Sequence, residues 1–85
     1  MKRKKRIEKN LNFSLETWFI KVEDTSYLHK GHNNFDGSGE SHFKISLKPS
    51  NQENRTRLQI HRLINDLLKD EFKTGLHALE IVLLN

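Results

Sequence analysis

The chain opens on a four-residue apolar rhythm. Ile7, Leu11 and Leu15 recur at the spacing of one helical face, with charged and amide side chains between them, which predicts an amphipathic helix over 3–15. The rhythm then changes. In "WFIKVED" (18–24), Trp18, Ile20 and Val22 alternate with Phe19, Lys21 and Glu23, and aromatic and β-branched residues dominate, so the segment predicts a strand. Alternation returns in "HFKISLK" (42–48), where Phe43, Ile45 and Leu47 point one way and His42, Lys44, Ser46 and Lys48 the other. Pro49 ends this strand because it has no N–H to donate. Residues 25–41 are polar and hold three of the four glycines; they read as a long loop across which the two strands pair antiparallel.

The helical period resumes after "SNQE" (50–53), whose Ser-x-x-Glu spacing suits a capping box, with Asn54 a second candidate cap. Ile60, Leu63, Ile64, Leu67 and Leu68 form a complete core stripe on a main helix over 55–72. Gly75 suits its termination. "LHALEIVLL" (76–84) closes the chain as a third strand, apolar on both faces towards its end. The order α-β-β-α-β predicts a two-layer α+β domain over 1–85, a three-stranded mixed sheet with helices on one face. The return from the second strand to the third runs through the main helix, which permits a parallel, right-handed crossover. The other face of the sheet is open to water or to a partner.

Charge is unevenly spread. Lys2, Arg3, Lys4, Lys5 and Arg6 are five of the 15 basic side chains, leaving ten against 11 acidic ones in the rest of the chain. The high pI therefore belongs to a short N-terminal arm (1–6), able to touch phosphates or an anionic surface, or simply a solvated helix start. Cations at the positive end of the helix dipole predict that this start frays. The chain has no cysteine, which excludes a disulfide framework and a thiol nucleophile and fits a reducing compartment, here the cytoplasm. No apolar run is long enough to span a membrane. "MKRKKR" leads into a charged helical pattern, which argues against a secretory signal. Gly-x-Ser-x-Gly, Walker and dinucleotide glycine patterns are absent, and "GSG" (37–39) reads as a hinge, so a non-enzymatic role is expected.

The candidate chemistry is histidine. His29 and His32 have His-x-x-His spacing in the loop, within reach of one soft-to-borderline metal, and His77 can supply a third imidazole. Asp36 and Glu40 can join such a site; the plain alternative is a set of solvated loop residues. His42 is assigned a structural hydrogen bond and His61 the boundary of the main helix. Arg55, Arg57, Arg62 and Lys69 form a basic patch on that helix, diluted by Asp66, Asp70 and Glu71.

Taken together, "VEDTSYLH", "GSGESHFKI", "IHRLINDLLKDEF" and "LHALEI" resemble the BolA-like family over about residues 7–84. The order Ser41-His42-Phe43-Lys44, His61-Arg62, His77-Ala78-Leu79 carries the resemblance. It implies an α-β-β-α-β fold similar to the class II KH domain. It also implies pairing with a monothiol glutaredoxin around a bridging [2Fe–2S] cluster, with thiolates from the glutaredoxin and glutathione. The isolated chain is expected to be a monomer without a bound cluster. Within that resemblance His77 supplies one imidazole, and the loop supplies His29, which fits by count from Asp24, or His32. Histidine ligation of one iron occurs in Rieske centres. It makes release of a cluster easier as pH falls, which suits assembly, transfer or sensing. The loop is longer than in the shorter members, and Gln52, Asn54 and Arg57 stand where members often carry aromatics and glycine.

Other members are described as DNA-binding regulators. That rival reading lacks the Gly-x-x-Gly grip of a KH domain and rests on Arg55, Arg57 and Arg62 with Lys2 and Arg3 of the arm, giving weak, salt-dependent binding. A third reading is an adaptor that binds partners without any cluster.

Overall fold

The computed structural model describes residues 2–26 and 40–84. The four-residue stripe forms helix α1 (Arg3–Ser14), with Ile7 and Leu11 fully buried. Strand β1 (Trp18–Asp24) pairs antiparallel with β2 (His42–Pro49), Val22 opposite Ile45. Strand β3 (Ala78–Leu83) pairs parallel with β2, Ile81 opposite Ile45. The sheet is mixed, with order β1-β2-β3. Alternation works as predicted: Trp18, Val22, Phe43, Ile45 and Leu47 join Ile7, Leu11, Leu15, Ile60, Ile64 and Leu68 in one core, with Leu79, Ile81 and Leu83 against it. Burying each such side chain contributes up to about 1.5–3 kcal/mol, so this single layer of contacts holds sheet and helices together. Phe19 and Leu84 lie on the opposite side of the chain's alternation and stay exposed.

Three expectations need correction. The N-terminal arm is not an arm. Residues 3–6 are the first turn of α1, and that turn is anchored rather than frayed, because Arg3 is only 7 % exposed and its terminal guanidinium nitrogens are bonded to Glu71 and Thr74. The local cap is missing, since Lys2 makes no side-chain capping bond. The cap comes from far away: the Arg3 N–H donates to Glu40 Oε1 at 2.8 Å.

The capping box also lies further along than "SNQE". Helix α2 (Arg57–Leu67) is capped by Thr56, whose Oγ1 accepts from the Gln59 N–H while Gln59 Oε1 accepts from the Thr56 N–H. Glu53 is used elsewhere, accepting from Trp18 Nε1 and from Arg55. The main helix is not continuous to 72. It breaks at Leu68 (φ −101°, ψ 12°) and resumes as α3 (Lys69–Lys73). No proline or glycine stands there. Leu68 itself is fully buried, and the break brings Glu71 and Thr74 to Arg3.

Candidate functional site

The site grows from the two ends of the 25–41 segment. Asp24, at the end of β1, accepts from the N–H of Ser26 at 2.9 Å and from the N–H of Glu40 at 2.8 Å. Ser26 is completely buried. Its Oγ accepts from the N–H groups of Ser41 and His42, both at 3.0 Å, while the Thr25 N–H donates to the His42 carbonyl at 2.8 Å. The segment therefore leaves β1 and re-enters β2 through one polar knot. Buried backbone groups demand partners, and here two short side chains supply them. Burial pushes the Asp24 carboxyl up, but the Ser26 side chain, the N–H groups of Glu40 and Ser26 and the neighbouring His42 outweigh it and hold it below the usual carboxylate range.

The same knot reaches the last strand. The Ser41 carbonyl accepts from the N–H groups of His77 (2.7 Å) and Ala78 (3.2 Å). That bond places His77 beside His42, with ring centroids 5.3 Å apart and tilted by 49°. His42 is 5 % exposed, and its Nδ1 lies 2.8 Å from Ser41 Oγ. His77 is exposed. A shallow depression lined by Thr25, His42, Phe43, Ala78, Leu79 and Glu80 adjoins the pair. Of the two, His42 is buried and engaged with Ser41, and His77 is the imidazole open to an outside partner. Among the described residues no group of three or more His, Cys, Asp or Glu side chains converges on a metal position.

His29, His32 and Asp36 lie outside the described residues. Glu40 is turned to Arg3. His61 is half-buried on α2 between Ile60 and Arg62, and the fully buried Ile60 and Ile64 flank it. The predicted nucleic-acid set is dispersed in use. Arg3 is buried, and Arg55 is paired with Glu53 at 2.7 Å. Arg57 reaches the Leu83 carbonyl at 3.5 Å. Arg62 and Lys2 are exposed. Arg3 is therefore withdrawn from any phosphate contact: its guanidinium is committed inside the fold.

Sequence reading missed Ser26 and the juxtaposition of His42 with His77. The Asp24-x-Ser26 spacing, an Asx turn closing on its own backbone, is the signal that could have marked Ser26. The pairing of the histidines has no local signal, since 35 residues separate them.

Fold and corner together define a small, cysteine-free α+β domain that presents paired imidazoles at one end of a mixed sheet. The chain belongs to the BolA-like protein family, whose profile matches residues 11–85. It is 43 % identical over 81 residues to SufE-like protein 1, chloroplastic/mitochondrial, of Arabidopsis thaliana, covering 91 % of this chain and 22 % of that protein. It is 35 % identical over 78 residues to the DNA-binding transcriptional regulator BolA of Escherichia coli, covering 92 % and 70 %. The chain thus spans about a fifth of the SufE-like relative. Among solved structures, the BolA domain of SufE1 from Arabidopsis thaliana superposes with a TM-score of 0.79 at 42 % identity, covering 95 % of this chain and 88 % of that one. BolA1 from Arabidopsis thaliana superposes at 0.80 with 34 % identity, covering 98 % and 90 %. No helix of the described residues is long and apolar enough to cross a membrane.

Proposed function

We propose that this chain pairs with a monothiol glutaredoxin and lends imidazoles to a [2Fe–2S] cluster whose thiolates come from the glutaredoxin and glutathione. The observation that carries this reading is the exposed His77, fixed by its own N–H to the carbonyl of Ser41 at the point where the histidine-bearing loop returns. The donor set is consistent with it. Without cysteine the chain cannot supply the thiolates that such clusters use, yet it offers the exposed imidazole of His77. His29 or His32 provides the second imidazole. His42, buried beside His77, keeps its neighbour's place in the corner. Such a cluster supplies one-electron chemistry and a transferable group, which suits assembly, transfer or sensing.

The test is a titration of the chain into a glutaredoxin loaded with a glutathione-ligated [2Fe–2S] cluster, followed by visible circular dichroism. A new spectrum saturating at one-to-one and lost in His77→Ala is expected. His29→Ala and His32→Ala then identify the loop ligand. An unchanged spectrum with the wild-type chain rejects the reading. The name of the Escherichia coli relative favours a second one, DNA binding, for which the exposed Arg62 and Lys2 and the partly engaged Arg57 remain. Its mark is an affinity that falls steeply with salt and is weakened by Arg62→Gln.

A further inference from the structure

The first turn of α1 plays no part in the function proposed above, yet its Arg3 engages two distant segments at once. The Arg3 N–H donates to Glu40 Oε1, and Glu40 precedes the Ser41 whose carbonyl holds His77. Arg3 Nη1 donates to the Glu71 carbonyl at 3.0 Å, to Glu71 Oε1 at 2.8 Å and to Thr74 Oγ1 at 3.1 Å. Arg3 Nη2 donates to the Thr74 carbonyl at 2.8 Å. The Nε–H finds no partner among the described residues, so the two terminal nitrogens make all the side-chain bonds. The turn they bind leads directly through Gly75 and Leu76 to His77.

That turn is shaped to the guanidinium. Gly75 has φ +127°, which side-chain-bearing residues rarely adopt, and a Cβ there would stand 2.9 Å from Arg3 Nη2. Glu40 also has positive φ (68°), uncommon outside glycine; its N–H is held by Asp24 and its carboxylate by Arg3. Strain of this kind persists only where the surroundings over-determine it. A planar fork that binds two carbonyls and a carboxylate at once fixes geometry in a way an ammonium does not.

We infer that Arg3 is a positioning residue for His77: its guanidinium locks the 71–75 turn while its backbone N–H, through Glu40, holds the exit of the loop, so that His77 stands at a fixed place beside His42. The use made of His77 rests on the function proposed above; its positioning does not.

The test is amide hydrogen exchange by NMR on the full chain in Arg3→Met, Arg3→Lys and, as a control on the remote ion pair, Arg55→Met. In Arg3→Met the His77 and Ala78 amides accelerate about tenfold or more beyond the amides of the β1–β2 ladder, and the His77 ring resonances move. Arg3→Lys, which keeps the charge and loses the fork, shows the same pattern at smaller amplitude, and carries the test if Arg3→Met does not fold. Arg55→Met leaves the ratio unchanged. Equal acceleration of every amide, or none, overturns the inference, because either result makes Arg3 merely a stabilising residue or an idle one. A second arm uses the cluster-loaded glutaredoxin, where Arg3→Lys weakens the one-to-one complex about tenfold. If the wild-type chain forms no complex, the functional reading fails while the exchange arm still decides the positioning.

Discussion

Two arginine–glutamate pairs sit in different parts of this domain and behave as opposites. Arg55 and Glu53 are two residues apart, and the pair is partly exposed, with side chains 41 % and 20 % accessible. Arg3 and Glu71 are 68 residues apart, with side chains 8 % and 14 % accessible. The first pair tidies the turn before α2 and gives Trp18 Nε1 an acceptor. The second ties the beginning of the chain to the turn that presents His77. The chemistry is the same and the consequence differs, because burial removes the water that would otherwise replace a lost partner. An exposed local pair returns to solvent at little cost; loss of the buried arginine takes from the Thr74 carbonyl its donor and leaves the Glu71 carboxylate to Arg6 alone.

The largest break in this comparison comes from Arg3→Met. Urea unfolding is expected to show a loss of about 2–3 kcal/mol, the range for removing one charged partner from a buried network. Gly75→Ala is expected to cost somewhat less, about 1–2 kcal/mol, from its positive φ together with the contact with Arg3 Nη2. A midpoint unchanged in both variants would make the buried pair equivalent to the exposed one.

Acid sharpens the contrast. The Arg6 hydrogen bond, aided by the charges of Arg6 and Arg3, holds Glu71 below the usual carboxylate range against the opposing effect of burial. A depressed carboxyl contributes its full stability above its unfolded value and loses it as pH falls through the folded one. Unfolding measurements between about pH 5 and about pH 2 should therefore show a falling limb that flattens in Glu71→Gln. The smallest effect is expected at the exposed pair. The side-chain and backbone hydrogen bonds of Arg55 lower Glu53 to about 2. In Arg55→Met, carbon-detected NMR should find Glu53 titrating nearer the ordinary range, with the unfolding midpoint hardly moved.

Most of the architecture was legible along the chain because it depends on period. Apolar residues every fourth position made α1 and α2, and apolar residues every second position made β1 and β2. The parallel return to β3 followed from placing a helix between two strands. Local chemistry misled where competing signals were close together. "SNQE" and Thr56-x-x-Gln59 both have capping-box spacing, and the choice fell to the one whose helix could bury Ile60 and Ile64. The break at Leu68 has no composition signal, since it serves a contact with the far end of the chain.

The candidate site divides in the same way. Its histidines, the absence of cysteine and the resemblance carried by Ser41-His42-Phe43, His61-Arg62 and His77-Ala78-Leu79 are properties of the sequence by itself, because residue type and order need no geometry. That His42 and His77 stand side by side, that a buried Ser26 ties the loop ends, and that Arg3 is an internal clip rather than a phosphate-seeking cation were decided by tertiary structure alone. Each depends on partners between 15 and 71 residues away, and a hydrogen bond across that separation exists only once the sheet and helices have brought its two groups together.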